Sequence, residues 1–313
     1  RQRQMCIRDR CLIPEFGFLK GTWHAVFHAV SSFCNAGFDL LGGRFGAFSS
    51  LAGYNDNPLM LGTTAALIVV GGLGFFVWED IVDKRCWSRL SVYSKMVLLI
   101  TAVLIVGGAL FFLMEEFDNP ATLGDMPLWQ KGLNALFQSV TLRTAGFDSI
   151  GQGGLSDTSK AMSCVLMLIG GSSGSTAGGI KTATVGGLLL ALRSGLMGRE
   201  QVTFRGRAIH YRRVLNAMTL ALVVLGVFVF SSMVVSTVED LPYLDSAFEV
   251  ASAMGTVGLT TGTTPTLTPF SQGLLILLMY MGRVGILSFS IAFITGNRHP
   301  AKIKYPEMNV MIG

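Results

Sequence analysis

Long apolar runs alternate along the chain with shorter, mildly apolar segments. Five of the runs are long enough to cross about 30 Å of hydrocarbon as helices. The shorter segments cannot span a membrane and suit re-entrant or buried helices. The pattern therefore predicts a helical membrane protein with two kinds of helix. The long runs are 58–78, 96–114, 161–192, 214–238 and 269–295, and the short segments are 22–33, 128–142 and 243–254.

The short segments belong to an internal repeat. The stretches 27–39, 136–148 and 248–260 match one another when they are aligned on Gly37, Gly146 and Gly258, which are 109 and 112 residues apart. This period exceeds the 20–50 residues of solenoid repeats. We interpret the unit as a span, a short helix, a Gly-centred extended loop and a second span.

The Gly-centred loops favour a cation pathway. Irregular backbone at membrane depth is tolerated only where it is buried or lines a wet cavity. Glycine frees φ, and rings of carbonyl oxygens can replace the hydration shell of a monovalent cation. The short helices would aim their partially negative C-terminal ends at the same cavity. The predicted filter residues are Asn35, Ala36, Gly37, Thr144, Ala145, Gly146, Thr256, Val257 and Gly258.

A plain turn between a buried helix and the next span is the alternative interpretation of each loop. It would be preferred for a single copy. Three matched copies placed between spans, together with acidic outer loops, favour the filter instead.

Composition and charge support the membrane assignment. Half of the residues are apolar, 14% are charged and the mean hydropathy is +0.54, whereas soluble domains carry about 25% charged residues. This excludes an ordinary soluble enzyme, a disordered chain and a nucleic-acid-binding module. The five cysteines are scattered and odd in number, so they indicate neither a zinc site nor a disulfide framework.

The basic residues predict the orientation. Thirteen Lys and Arg fall in 79–95, 193–213 and the tail after Gly296, whereas three fall in the opposite, acidic loops. By the positive-inside rule, these basic segments and the C-terminus are predicted to be cytoplasmic.

The run 161–192 is interrupted by Gly, Ser and Thr residues. A phosphate-binding loop is excluded, because the spacing to Lys181 differs by one residue from the Walker A pattern and no strand precedes it. An unwound, flexible element lining the pore is favoured. Arg283 lies within a span, where lipid exposure would cost about 2.5–3.5 kcal/mol, so it must face the pore or a partner. The predicted gate residues are Gly170, Gly171, Ser172, Ser173, Gly174, Ser175, Thr176, Gly178, Gly179, Lys181 and Arg283.

Arg143 lies one residue before Thr144, at the edge of the predicted filter. It either tunes ion entry or has a structural role, bonding loop carbonyls or an acid such as Glu249. The structural role is favoured, because an unpaired cation would repel the ions of a cation filter.

Several motifs together resemble the Trk/Ktr/HKT superfamily of potassium transporters, most closely the Ktr-type membrane subunit (KtrB). The resemblance runs from about residue 13 to residue 313. It rests on the segments 27–39, 141–147, 170–182, 254–259 and 281–285 and on the C-terminal ending.

The resemblance implies an all-α integral membrane fold, with tandem repeats of transmembrane helix, pore half-helix, filter loop and transmembrane helix around a central ion pore. It implies potassium uptake at the plasma membrane, with or without coupled sodium, and no enzyme activity. It also implies a homodimer on a cytosolic ring of nucleotide-binding RCK subunits (KtrA-like), with no nucleic acid partner and no cofactor beyond the transported ion.

The family carries four repeats, and this sequence holds the second half of one and two whole ones. By resemblance, all of the first repeat and the first span of the second are missing, so the printed chain alone should not form a sealed pore. The predicted segments are an N-terminal edge (1–20), the half repeat (21–83), two complete repeats (84–199 and 200–300) and a cytoplasmic tail (301–313).

Two alternatives to potassium uptake remain. One is a secondary transporter of another class, whose broken helices also place irregular backbone at the bilayer midplane. The other is a non-transporting membrane scaffold or fragment.

Overall fold

A computed structural model describes residues 12–46, 49–199 and 201–285. The predictions for residues 1–11 and for the segment after Gly285, including the C-terminal tail, lie outside the described residues. The described part is helical apart from one two-stranded hairpin.

Among the described residues, two helices are long and apolar enough to cross a membrane, and a bent pair would make a third. They are α6 (Val92–Glu115) and α10 (Tyr211–Glu239). At 1.5 Å per residue, α6 is about 36 Å long. Ser91 caps the start of α6 by accepting from the Ser94 N–H at 3.1 Å. Large apolar side chains on both helices are exposed, as expected where a helix faces lipid: Leu99, Val103, Val106, Leu110, Leu222 and Phe230.

Three shorter helices correspond to the predicted pore half-helices. They are α2 (Phe18–Phe33), α7 (Leu128–Thr141) and α11 (Tyr243–Gly255). Helices α7 and α11 each follow a proline, Pro127 and Pro242, that serves as the N-cap residue. Nearly every residue of α11 is buried, because α11 packs among three other helices.

The remaining elements complete the bundle. Helix α4 (Pro58–Gly72) packs against α2 and α7, and α12 (Pro269–Val284) packs against α11. The further helices are α1 (Ile13–Phe16), α3 (Gly42–Phe45), α5 (Phe75–Lys84), α8 (Asp157–Leu168) and α9 (Thr182–Leu196). Strands β1 (Thr203–Phe204) and β2 (Arg207–Ala208) form an antiparallel hairpin.

One predicted span is wrong in its geometry. The run 58–78 is not one straight helix: α4 ends at Gly72, and α5 leaves at 96° to it. Gly74 has φ +79°, and a Cβ built on it would lie 2.7 Å from the Ser173 carbonyl oxygen. The chain turns there because another loop occupies the space into which a straight helix would continue. The hydropathy of residues 58–78 predicts an apolar helix but carries no information about the bend between α4 and α5.

The broken span is as predicted. Helix α8 ends at Leu168, α9 begins at Thr182, and the residues between them form an irregular loop, called the Gly/Ser loop below. Its two ends pair through a parallel bridge between Ile169 and Ile180.

Candidate functional site

Three short loops follow α2, α7 and α11 and share one backbone conformation. We call them the glycine loops, residues 35–37, 144–146 and 256–258. In each, the first and third residues have positive φ: 51° and 73° in the first loop, 65° and 82° in the second, and 52° and 95° in the third. The middle residue keeps negative φ. The three loops therefore share one pattern of positive and negative φ, and their backbone lies outside any helix, where carbonyl oxygens are available to a cation.

The glycine loops pack edge to edge. A Cβ built on Gly37 would lie 2.6 Å from the Ala145 carbonyl oxygen, and one built on Gly146 would overlap the Val257 carbonyl oxygen. The predicted filter residues of the three loops are therefore brought together as an arc. At Gly258 an added Cβ would meet nothing within 4 Å, so this edge of the arc is open among the described residues.

A cavity of about 320 Å³ opens at one face of the arc. It is lined by the third residue of each glycine loop and by two acids at equivalent repeat positions, Asp39 and Asp148. Two carboxylates in one cavity create a negative potential that concentrates cations. The third repeat places Thr260 at the equivalent position.

The threonine hydroxyls of the second and third loops are buried. Thr144 Oγ1 and Thr256 Oγ1 have no hydrogen-bond partner among the described residues, and Thr176 Oγ1 of the Gly/Ser loop has none either. A buried hydroxyl without a partner costs about 1–3 kcal/mol. Buried hydroxyl oxygens that lack a hydrogen-bond partner and lie next to backbone carbonyls are suited to bind a dehydrated cation.

Glu249, within α11, holds the segment that follows the third glycine loop. Its carboxylate accepts from the Thr261 N–H at 2.9 Å and from the hydroxyls of Thr260, Thr261 and Thr263 at 2.7, 3.0 and 3.1 Å. It also accepts from the Thr264 hydroxyl. The second loop is braced differently, since the Thr141 hydroxyl donates to the Phe147 carbonyl oxygen at 2.6 Å.

The Gly/Ser loop lies directly against the glycine loops. A Cβ on Gly178 would overlap Thr256 Oγ1 and lie 2.9 Å from the Gly255 carbonyl oxygen. On its other side the loop is bonded to the bend between α4 and α5. There the Ser172 N–H donates to the Gly72 carbonyl oxygen at 3.0 Å, and the Phe75 N–H donates to that of Gly174 at 3.2 Å.

Arg143 is buried and reaches both ends of the Gly/Ser loop. Its Nη2 donates to the Gly170 carbonyl oxygen and to Thr182 Oγ1, each at 3.3 Å. The Thr182 hydroxyl in turn donates to the Gly170 carbonyl oxygen at 2.9 Å. Of the two partners that the sequence suggested, the carbonyl is the one observed, since the Glu249 carboxylate is occupied by threonines.

Two further cations contact the Gly/Ser loop. Arg283 Nη1 donates to the Thr176 carbonyl oxygen at 2.5 Å, and Lys181 Nζ donates to the Ala177 carbonyl oxygen at 2.7 Å. The remaining predicted gate residues lie along the same loop, from Gly170 to Gly179.

Three residues that contact the Gly/Ser loop were not predicted from the sequence. Thr182, Gly72 and Gly74 were not predicted as partners of the Gly/Ser loop. The signal that could have drawn attention to them is the Gly-Gly-Leu-Gly run at 71–74, because such runs permit close backbone approach.

The acids near the helix ends are hydrogen-bonded. Glu239 accepts hydrogen bonds from the Thr268 N–H at 3.1 Å and from the Thr268 hydroxyl at 2.5 Å, just before α12 begins. Burial raises the pKa of Glu116, but hydrogen bonds from Thr122, Ser156 and Asn119 outweigh it, so the pKa is lowered overall. Within residues 12–46, 49–199 and 201–285, no group of three or more His, Cys, Asp or Glu side chains could hold a metal ion.

These features define a helical integral membrane protein. The chain matches the TrkH family model, described as cation transport protein, over residues 16–301. The chain therefore belongs to the TrkH family of the Trk/Ktr superfamily.

Curated relatives agree with this assignment. The chain is 45% identical over 307 residues to the potassium/sodium uptake protein NtpJ of Enterococcus hirae, covering 96% of this chain and 66% of that protein. It is 33% identical to the Ktr system potassium uptake protein B of Bacillus subtilis, with the same coverage of both chains. The chain thus spans about two thirds of the length of these relatives.

The fold resembles a solved structure, the potassium transporter TrkH from Vibrio parahaemolyticus. The TM-score is 0.70 at 20% sequence identity, and the match covers 92% of this chain and 62% of the other. At this identity the likeness concerns the fold.

Proposed function

We propose that this chain forms part of a potassium uptake pathway in the plasma membrane. The observation that carries the proposal is the arc of three glycine loops, in which Gly37 packs on Ala145 and Gly146 packs on Val257. Potassium is the substrate, and its hydration shell is replaced by the carbonyl oxygens of these loops. The repeats of span, half-helix, loop and span arrange the loops around one axis.

The ion path through the arc would have three parts. Asp39 and Asp148 would attract cations at the outer cavity. The carbonyls of the glycine loops would hold the dehydrated ion, and the hydroxyls of Thr144 and Thr256 would coordinate it at the inner end. The burial of these hydroxyls, with no hydrogen-bond partner in the part of the chain that the structure describes, supports that role.

The Gly/Ser loop would act as the gate. The close approach of Gly178 to Thr256 supports this role, since a loop at that position would close the inner end of the arc. Arg283 would hold the loop closed through the Thr176 carbonyl and place a positive charge on the path. Lys181 would add to that electrostatic barrier.

Partners and coupling are proposed from the family. One relative is named a Ktr system protein, and we propose that this chain likewise works as a homodimer with a cytosolic nucleotide-binding RCK subunit. Another relative is named for potassium and sodium uptake, which supports testing sodium as a coupled ion. The basic loops and the C-terminus would then face the cytoplasm.

Complementation tests the function. The printed chain, and a version extended with the N-terminal third of the Enterococcus hirae relative, are expressed in cells that lack potassium uptake. The extended version should restore growth at low potassium, and a Gly146→Ser variant of it should not. Failure of the extended version to restore growth, despite its presence in the membrane, would remove the proposal.

A further inference from the structure

The hairpin of β1 and β2 separates two cavities at the ends of the membrane helices. Phe204 of β1 lines both of them. The hairpin joins α9 to α10, within the basic segment 193–213 that the charge pattern places on the cytoplasmic side. The two cavities are therefore neighbours at the level of the inner lipid headgroups.

The smaller cavity, of about 320 Å³, is basic. Arg193, Arg199 and Arg205 line it together with Ser194. None of the three arginines forms a salt bridge with any acid among the described residues. The planar guanidinium group binds phosphate oxygens with paired hydrogen bonds, so the chemistry of this cavity suits a phosphate group.

The larger cavity, of about 600 Å³, is mainly apolar. It lies between the first turns of α6, α9 and α10, and Arg207 and Arg213 are part of its wall. The apolar wall can contact a hydrocarbon chain, and the neighbouring arginines can bind a negatively charged headgroup. Its apolar lining residues are Val92, Met96, Ala183, Gly187, Ala217 and Leu220.

We infer that the two cavities together bind one anionic phospholipid of the inner leaflet, with its phosphate at Arg193, Arg199 and Arg205 and an acyl chain in the apolar cavity. A free phosphate would use only the basic cavity. The acyl site lies among membrane helices, which favours a lipid over a soluble protein segment. Inner-leaflet anionic lipids are attracted to such basic clusters. This binding does not depend on which ion the protein transports.

Native mass spectrometry of the purified protein tests the inference. The protein is incubated with phosphatidylglycerol, with phosphatidylcholine or with inorganic phosphate. Phosphatidylglycerol should remain bound under conditions that strip phosphatidylcholine. The triple variant Arg193→Gln/Arg199→Gln/Arg205→Gln should lose this preference, whereas Arg85→Gln/Arg89→Gln, in another basic loop, should keep it.

A second variant tests the apolar cavity. Ala217→Trp should weaken binding of long-chain phosphatidylglycerol and leave its short-chain analogue unaffected. Equal retention of phosphatidylglycerol by the wild type and the triple variant would overturn the inference. Displacement of the lipid by millimolar inorganic phosphate would also overturn the inference, because free phosphate would then be the ligand. A triple variant that keeps the lipid but loses a cytosolic partner would overturn it too, because the arginines would then bind a protein.

Discussion

The guanidinium of Arg143 donates a hydrogen bond to the carbonyl oxygen of Gly170, 27 residues further along the chain. Arg143 immediately precedes the second glycine loop, and Gly170 opens the Gly/Ser loop. The contact therefore ties the proposed filter to the proposed gate. Because the same Nη2 also bonds Thr182, one side chain holds both ends of the gate together.

Replacing Arg143 should loosen this tie. In Arg143→Gln the Gly170 carbonyl keeps its bond from Thr182, so we expect a loss at the lower end of the 1–3 kcal/mol typical of a buried unsatisfied group, about 1 kcal/mol. Thermal unfolding in detergent measures it. Arg89→Gln, an exposed arginine outside both proposed sites, is the control. Equal melting temperatures for the two variants would contradict the bracing role.

A methyl group at position 178 should disturb the contact between gate and filter. Gly178→Ala would overlap Thr256 Oγ1, and such overpacking costs about 1–3 kcal/mol. Uptake of rubidium should fall while the amount of protein in the membrane stays the same. Gly107→Ala, where the added Cβ meets nothing within 4 Å, should leave uptake unchanged. Normal uptake by Gly178→Ala would show that the loop does not rest on Thr256.

The glycine loops should set ion selectivity. Gly146→Ser and Gly258→Ser each force a side chain onto positive φ, and Gly146→Ser also meets the Val257 carbonyl. Both should weaken discrimination of potassium from sodium, and Gly146→Ser should do so more. Competition between the two ions during uptake measures this.

Gly17→Ser is the matched control for this experiment. Gly17 has φ +78° and nothing within 4 Å of an added Cβ, and it lies outside the glycine loops and the cavity beside them. Its variant should keep the wild-type selectivity. If Gly17→Ser lost selectivity as Gly258→Ser does, general strain would explain the result and the filter assignment would fail.

Removing the charge at position 283 should raise ion flux. Arg283→Ala takes away both the bond to the Thr176 carbonyl and the positive charge on the proposed path. Arg283→Lys keeps the charge but not the planar donor group, so it should give an intermediate flux. Flux into proteoliposomes is the measurement, and unchanged or lower flux in Arg283→Ala would argue against a barrier.

Much of the fold follows from local sequence patterns. The half-helices α7 and α11 were predicted to within one residue of their ends, because short apolar segments mark their extent and the repeated glycine motifs follow them. The interruption of the third long run was predicted because a run of glycines and serines cannot sustain a helix in a membrane.

The remaining features depend on tertiary contacts. The bend after Gly72 arises because the Gly/Ser loop, about 100 residues away in sequence, packs on Gly74. Hydropathy carries no information about such a contact. The sequence likewise did not decide between Gly170 and Glu249 as the partner of Arg143. That choice depends on threonines that already donate hydrogen bonds to the Glu249 carboxylate.

Ion binding in the arc of glycine loops is the central claim, and anomalous diffraction from rubidium or thallium tests it most directly. Crystals of the N-terminally extended protein soaked in either ion should show anomalous peaks on the axis beside the carbonyls of residues 35–37, 144–146 and 256–258. Crystals of the Gly146→Ser variant should lose them. An axis without peaks in the wild-type protein, or one filled by apolar side chains, would contradict the account.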